Sequence, residues 1–326
     1  MVFKNLMSSL VHFSIFNVNN EIKIMKKEAK QKLVAEITRR CLIKEPGTFK
    51  IAGHETSWEG TEEIRDLGQE KLKKRAKKII KKNLKELSEV QELLYATGEY
   101  SLLLIFQAMD AAGKDGTIKH VMTGINPQGC QVYSFKKPSA EELKHDFLWR
   151  YNKRMPELGK IGIFNRSYYE EVLVVKVHPE LLKTKNADAK FWEARYEDIN
   201  SLEKHLTRNK TIILKFFLHL SKEEQRKRFL ERLNDPSKHW KFSASDLPER
   251  KRWDDYQKAF EDAINHTASS WAPWYVVPAD NKWIMRTIVS TVITNTILSL
   301  NLKIPALSAE MQKVLEAARK ELENEK

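Results

Sequence analysis

The sequence predicts an α/β protein: a three-layer α/β/α sandwich on a five-stranded parallel sheet, with a helical insertion. Three observations lead there. Five short apolar runs, Leu102–Phe106, Gln131–Phe135, Ile161–Phe164, Thr211–Leu220 and Trp274–Val277, alternate with stretches of helical period. Such alternation implies right-handed crossovers, which place helices on both faces of a parallel sheet. The residues suited to chemistry fall at the C-terminal ends of these strands or in one basic insertion, which is where open α/β sheets bind ligands.

From the N-terminus, Met1–Asn20 is moderately apolar, but it lacks a small-residue cleavage site and asparagines interrupt it, so it does not read as a signal peptide. Met25-Lys-Lys-Glu-Ala reads as a more natural start, which would make the preceding residues an upstream extension or a tail. Residues 1–60 are expected to form a partly flexible extension with one short helix over Lys27–Arg40. Leu67, Leu72, Ala76, Ile79, Ile80, Leu84, Leu87, Val90 and Leu94 then recur every three or four residues, giving a long helix over Thr61–Thr97 one apolar face. The lysines between Lys71 and Lys85 lie opposite and read first as a solvated surface.

The strand Leu102–Phe106 leads through a small-residue loop into a helix over Gly113–Thr123, ended by Gly124 and Pro127. Ser139 with Glu142 is a capping-box signature, expected to open a helix carrying His145, Asp146, Trp149 and Arg150. Further helices are expected at Tyr168–Val175 and Ala189–Arg208. A second box, Ser221 with Glu224, opens Lys222–His266, read as two charged helices joined by Asn234–Ser243, the place where nucleotide kinases carry a lid. A closing helix spans Trp283–Leu300, and Ile304–Lys326 reads as a polar helix. The main domain is thus drawn over 61–303, with the lid at about 222–266 and a C-terminal helix over 304–326.

At 326 residues the chain can bury a sizeable core without disulfides, and its two cysteines, Cys41 and Cys130, fit a reducing cytoplasm. No apolar run is long enough to cross a bilayer. A net charge of +13 points to a polyanionic partner. The cysteines and histidines have no metal-ligand spacing, so no structural zinc is expected.

The loop after the first strand, Ala108-Met-Asp-Ala-Ala-Gly-Lys114, is an imperfect phosphate loop: Ala108 stands where the common pattern has its first glycine, and Asp115 where it has a hydroxyl. Backbone N–H groups of Ala111, Ala112, Gly113, Asp115 and Gly116, with the Lys114 ammonium, suit phosphate oxygens. Asp110 reads either as a Mg²⁺ ligand replacing the missing hydroxyl or as a cap of the following helix. Asn165-Arg166-Ser-Tyr-Tyr-Glu170-Glu171, at the end of the third strand, is the second place where chemistry is expected.

Several blocks together carry a resemblance: Met109–Lys119, Asn126-Pro-Gln-Gly129, Ser134–Ser139, His145–Arg150, Gly162–Val174 and Ala272–Asp280. Over roughly residues 60–300 the chain resembles the family-2 polyphosphate kinases, and its Asn165–Glu171 block looks most like class III, whose members phosphorylate both nucleoside mono- and diphosphates. The resemblance implies a P-loop kinase-like sandwich in a Mg²⁺-dependent enzyme, with Mn²⁺ as a substitute. It implies that Asp110 and Lys114 act at the transferred phosphoryl group, with Asp110 as metal ligand, and that Asn165 and Arg166 line the same site. Arg228, Arg232, Lys238 and Lys241 are implied to face polyphosphate from the lid. Glu170 is the candidate for nucleotide choice, against the plainer reading of a helix N-terminal acid. The expected partners are polyphosphate, AMP, ADP, ATP and other nucleotides, in a cytoplasmic homo-oligomer without nucleic acid or membrane. Two rivals remain: an ATP-using nucleotide kinase, and a nucleic-acid-binding protein using His239-Trp-Lys-Phe242 and Arg252-Trp253, whose tryptophans read more simply as lid packing.

Overall fold

The computed structural model describes residues 38–57, 68–182, 187–304 and 306–325. Most of the expected N-terminal extension and of the helix over Lys27–Arg40, and the first residues of the helix drawn from Thr61, lie outside them.

Strand β1 (Leu42–Ile43) precedes the long helix α1 (Gln69–Thr97). β2 (Ser101–Gln107), α2 (Lys114–Val121), β3 (Cys130–Ser134), α3 (Trp149–Asn152), β4 (Ile161–Asn165) and α4 (Val174–Val177) follow. Then come α5 (Ala189–Arg208), β5 (Thr211–His219), α6 (Lys222–Leu233), α7 (Asp246–Lys251), α8 (Trp253–Thr267), β6 (Trp274–Pro278), α9 (Lys282–Ser299) and α10 (Ala309–Asn324). The sheet order is β1-β6-β5-β2-β4-β3. Five strands run parallel, as the apolar runs predict; β1 is a sixth, pairing antiparallel with β6 through Leu42 opposite Tyr275. Two residues at a sheet edge are too short to leave a hydrophobic period.

β2 lies between β4 and β5, with Leu102 opposite both Ile161 and Ile212, and every residue of it is buried. Its alternate side chains enter different cores. Leu102, Leu104 and Phe106 join the layer formed with α1, α2 and α9, whereas Leu103 and Ile105 join the layer formed with α4, α5 and α8. This double coverage is why the run reads as continuous rather than alternating.

α1 ends because Gly98 adopts a left-handed conformation (φ 59°) and returns its N–H to the Leu94 carbonyl at 3.2 Å. Residues 41–51 are part of the body rather than a free extension. Cys41 and Phe49 are buried, and Asn265 of α8 accepts from Phe49 N at 2.8 Å and donates to Phe49 O at 2.9 Å.

Three helix predictions need correction, the first being Tyr168–Val175, which is a 3₁₀ turn at Tyr168–Glu171 followed by the separate short α4. The Ser139–Glu142 box forms, with both reciprocal hydrogen bonds at 2.8 and 3.2 Å, but it opens only a single 3₁₀ turn, Glu142–Lys144. Asp146 then accepts from Leu148 N at 2.9 Å, so the chain restarts as the separate short α3. The second half of Lys222–His266 is not an exposed lid helix: Trp253, Tyr256, Phe260, Ala263 and Ile264 of α8 are buried in the second core. The segment outside that core is therefore α6, a 3₁₀ turn at Pro236–Lys241, and α7.

Candidate active site

β2, β4 and the start of α2 bring the predicted residues together. After Gln107 the chain turns through Ala111 (φ 63°) and Gly113 (φ 101°) into α2. A Cβ on Gly113 would meet the Met285 side chain at 3.4 Å, an ordinary contact, so it is the left-handed conformation that favours glycine. The N–H groups of Lys114, Asp115 and Gly116 are in the first turn of α2, where no intrahelical acceptor exists, and they form an anion-facing end. Lys114 folds back over the loop, its Nζ 2.9 Å from the Ala108 carbonyl. Burial and the nearby Arg166 guanidinium push its ammonium below the ordinary lysine value, while Asp110, Glu170 and Asp115 partly offset this.

The loop is braced from below. Arg228 of α6 is 5% exposed and uses all five of its donors. Its Nη atoms donate to the carbonyls of Ala111 (3.0 Å), Ala112 (2.9 Å), Ala279 (2.7 Å) and Asp280 (2.9 Å), and its Nε donates to Glu224 at 2.9 Å. Gln225, one helical position row away, donates to the Asp110 carbonyl at 2.9 Å.

At the end of β4, Asn165 Nδ2 lies 2.5 Å from Asp115 Oδ1. Arg166 adopts a left-handed backbone (φ 66°) and forms two ion pairs, Nη2 to Asp110 Oδ1 and Nη1 to Glu170 Oε2, both at 2.9 Å. Glu170 before all else, then Asp110, holds the guanidinium above its ordinary value. Glu170 is further fixed by Gln107: with the amide oriented to satisfy both ends, Nε2 donates to Glu170 Oε1 at 2.9 Å and the oxygen accepts from Ser167 N at 3.1 Å. Beside these groups runs a cleft lined by Met109, Asp110, Arg166, Glu170, Glu249 and Tyr256, whose hydroxyl donates to Glu249 at 2.6 Å.

Asp110, Lys114, Asn165, Arg166, Glu170 and Asp115 thus converge, together with the backbone of Ala111, Ala112, Gly113 and Gly116. The four lid cations separate. Arg228 is buried under the loop, whereas Arg232 reaches Asp246 (3.6 Å) and the Lys241 carbonyl (3.2 Å), and Lys238 pairs with Asp235 at 2.7 Å on the surface. Lys241 is exposed beside Trp240, itself 79% exposed. Sequence reasoning missed Gln107, Gln225, Glu249 and Tyr256. Gln107 could have been flagged as an amide ending an apolar strand, as Asn165 ends β4, but the others have no local signal.

Among the described residues no three His, Cys, Asp or Glu side chains are grouped to hold a metal. Mg²⁺ does not need such a cage, because it takes one or two carboxylates and completes its shell with water and phosphate oxygens. Asp110, 31% exposed at its side chain and engaged with Arg166 through Oδ1, fits that pattern.

The description polyphosphate kinase 2 matches residues 70–304, most of the chain and all of the site. The chain belongs to the polyphosphate kinase 2 family. It is 55% identical to an ADP-polyphosphate phosphotransferase of Rhodopseudomonas palustris, over 75% of this chain and 86% of the relative. It is 45% identical to an AMP/ADP-polyphosphate phosphotransferase of Meiothermus ruber, over 71% and 84%. The crystal structure of polyphosphate kinase 2 from Arthrobacter aurescens superposes with a TM-score of 0.75 at 40% identity, covering 85% of this chain and 95% of that one. The α/β sandwich with its phosphate loop is therefore this family's fold, carried here by a six-stranded sheet.

Proposed function

We propose that this polyphosphate kinase 2 member transfers phosphoryl groups from inorganic polyphosphate to AMP and ADP, giving ADP and ATP. The observation that carries the reading is the convergence of Lys114, Asp110 and Arg166 at the ends of β2 and β4, in a chain whose relatives are named for ADP-polyphosphate and AMP/ADP-polyphosphate transfer.

A terminal phosphate oxygen of the nucleotide attacks the end phosphorus of polyphosphate; the bond to the next bridging oxygen breaks, and the shortened polyphosphate leaves with that electron pair. The attacking phosphate is already largely ionised at neutral pH, so no strong base is required. What the protein supplies is in-line placement and cancellation of charge on the phosphoryl oxygens. Lys114, the first-turn N–H groups of α2 and Arg166 do this from two sides. Asn165 fixes Asp115 next to the loop. Asp110 would hold a Mg²⁺ or Mn²⁺ ion, which would supply further positive charge to the phosphoryl oxygens. Arg232, Lys238 and Lys241, on the segment between β5 and α8, close over the polyphosphate and keep out water that would hydrolyse it. Glu170, held between Arg166 and Gln107, faces the acceptor and sets nucleotide choice.

The enzyme works in the cytoplasm as a homo-oligomer, with neither nucleic acid nor membrane in the reaction; sedimentation of the purified protein checks the assembly. The deciding experiment is a product time course from AMP, polyphosphate and Mg²⁺ without ATP. Appearance of ADP and then ATP is expected. Turnover only when ATP replaces polyphosphate as donor would overturn the reading.

A further inference from the structure

The second core contains a charge pair that the reaction never touches. Lys215 and Glu203 are both fully buried, with Lys215 Nζ 2.6 Å from Glu203 Oε2. Lys215 sits on β5 between Ile213 and Phe217's side of the sheet, inside an otherwise apolar cluster. Its other donors go to the Tyr169 hydroxyl (3.0 Å) and the Thr267 carbonyl (2.8 Å). Glu203 Oε1 accepts from both Tyr168 (2.9 Å) and Tyr169 (2.8 Å). Desolvating two ions is costly, and an apolar pair of similar volume would usually stabilise a core as well or better. Stability alone does not account for the pair.

The two tyrosines lead to its use. They form the turn directly after Arg166, and Arg166 is held in a left-handed conformation that a side chain with a Cβ seldom adopts. Such a conformation persists where the surroundings over-determine it. Upstream, Arg166 N donates to the Phe106 carbonyl at 3.0 Å. Downstream, Ser167 Oγ accepts from Tyr169 N at 3.2 Å, and the two tyrosine hydroxyls end on Glu203. We infer that Lys215 and Glu203 are a positioning pair for Arg166: by clamping the Tyr168 and Tyr169 hydroxyls, they hold the turn that aims the Arg166 guanidinium at the phosphate loop. The inference rests on the proposed role of Arg166 in transfer.

The test is the double variant Lys215→Met/Glu203→Leu, measured for melting temperature and for steady-state transfer from polyphosphate to ADP, in the wild-type and Arg166→Lys backgrounds. With the pair replaced together the protein should stay folded. kcat should fall about ten-fold or more with both KM values changed less than about two-fold, because an interaction made in the transition state is lost. In the Arg166→Lys background the same change should cost less than about two-fold, since coupled positions are not additive. A folded double variant with wild-type kcat, or an equal loss in both backgrounds, overturns the inference. If the double variant does not fold, Tyr169→Phe, which deletes one hydroxyl of the clamp, is judged by the same non-additivity. A wild-type enzyme inactive with polyphosphate would sink the proposed function instead, so the two failures are distinguishable.

Discussion

Replacing Arg228 by lysine separates a brace beneath the loop from a lid cation that meets the substrate. The guanidinium serves five acceptors, four of them main-chain carbonyls and two of those in the phosphate loop. Lysine has three donors and no planar fork, so at least two acceptors lose their partner. A buried acceptor left unpaired costs about 1–3 kcal/mol, which puts Arg228→Lys at about 3 kcal/mol of destabilisation. At roughly 2–4 °C per kcal/mol for a domain of this size, the melting temperature should drop by about 6–12 °C. The loop also loses two of the contacts that fix Ala111 and Ala112, so kcat should fall about ten-fold while KM for polyphosphate changes little. Thermal melts and initial rates across polyphosphate concentrations read both. An unchanged melting temperature with only KM for polyphosphate raised would refute the brace and make Arg228 a substrate-facing cation.

Lys114→Ala should reduce kcat by more than about 100-fold with the fold intact, as expected for charge stabilisation worth ~3 kcal/mol; more than a tenth of the activity retained would remove it from that role. Glu170→Gln should change the ratio of kcat/KM for AMP and ADP by about five-fold or more; an equal fall for both would mean that Glu170 acts only through Arg166. His219, whose Nδ1 is buried without a partner among the described residues, is lowered by burial from 6.5 to about 4. The unfolded chain therefore takes up this proton first as pH falls, so its contribution is complete above about 6.5 and is lost towards 4, about 3 kcal/mol in all. Denaturant melts across that range should lose this slope in His219→Gln. KM for long polyphosphate should rise steeply with salt as counterions compete with the substrate; a flat dependence would contradict binding by a row of cations.

The parallel sheet was legible because its strands are covered on both faces, which writes them as continuous apolar runs such as Leu102–Phe106. The same logic failed where one element serves two environments. α8 begins with Trp253-Asp-Asp and reads as charged, yet Tyr256, Phe260, Ala263 and Ile264 follow at intervals of three and four and bury one face. A capping box reports only the hydrogen bonds it makes: Ser139 and Glu142 make theirs, but Asp146 starts a competing cap four residues on. At the site, the residues at loop and strand ends carried a local signal, while Arg228's five acceptors come from three separate stretches of chain and no spacing could announce them. Lys215 was passed over in the sequence, although a lysine within the longest β-type run demands a buried counter-charge. Its partner Glu203 sits on α5, and only the packing of α5 on β5 identifies it.

Two carboxylates hold the Arg166 guanidinium. Arg166 is paired with Asp110 and Glu170 through one N–H on each Nη, which leaves three of its five donors for other acceptors. The two are not held alike. Glu170 is fixed at its other oxygen by Gln107, which is buried and tied to Ser167, whereas Asp110 is the more exposed and lies on the loop before α2. A better-solvated ion pair is the weaker one, so if the proposed transfer draws Arg166 from one carboxylate, Asp110 is the one it would leave. Under the proposed function such a release would serve both groups: the guanidinium would turn to the phosphoryl oxygens while anchored on Glu170, and the Asp110 carboxylate would be free to hold a divalent cation. Asp110→Asn should then leave Arg166 already released. It should bind polyphosphate about as tightly as the wild type in the absence of divalent metal, yet lose about 100-fold or more in kcat when metal is present. Metal-free binding weakened as severely as kcat would show that Asp110 holds Arg166 in its working position rather than keeping it in reserve.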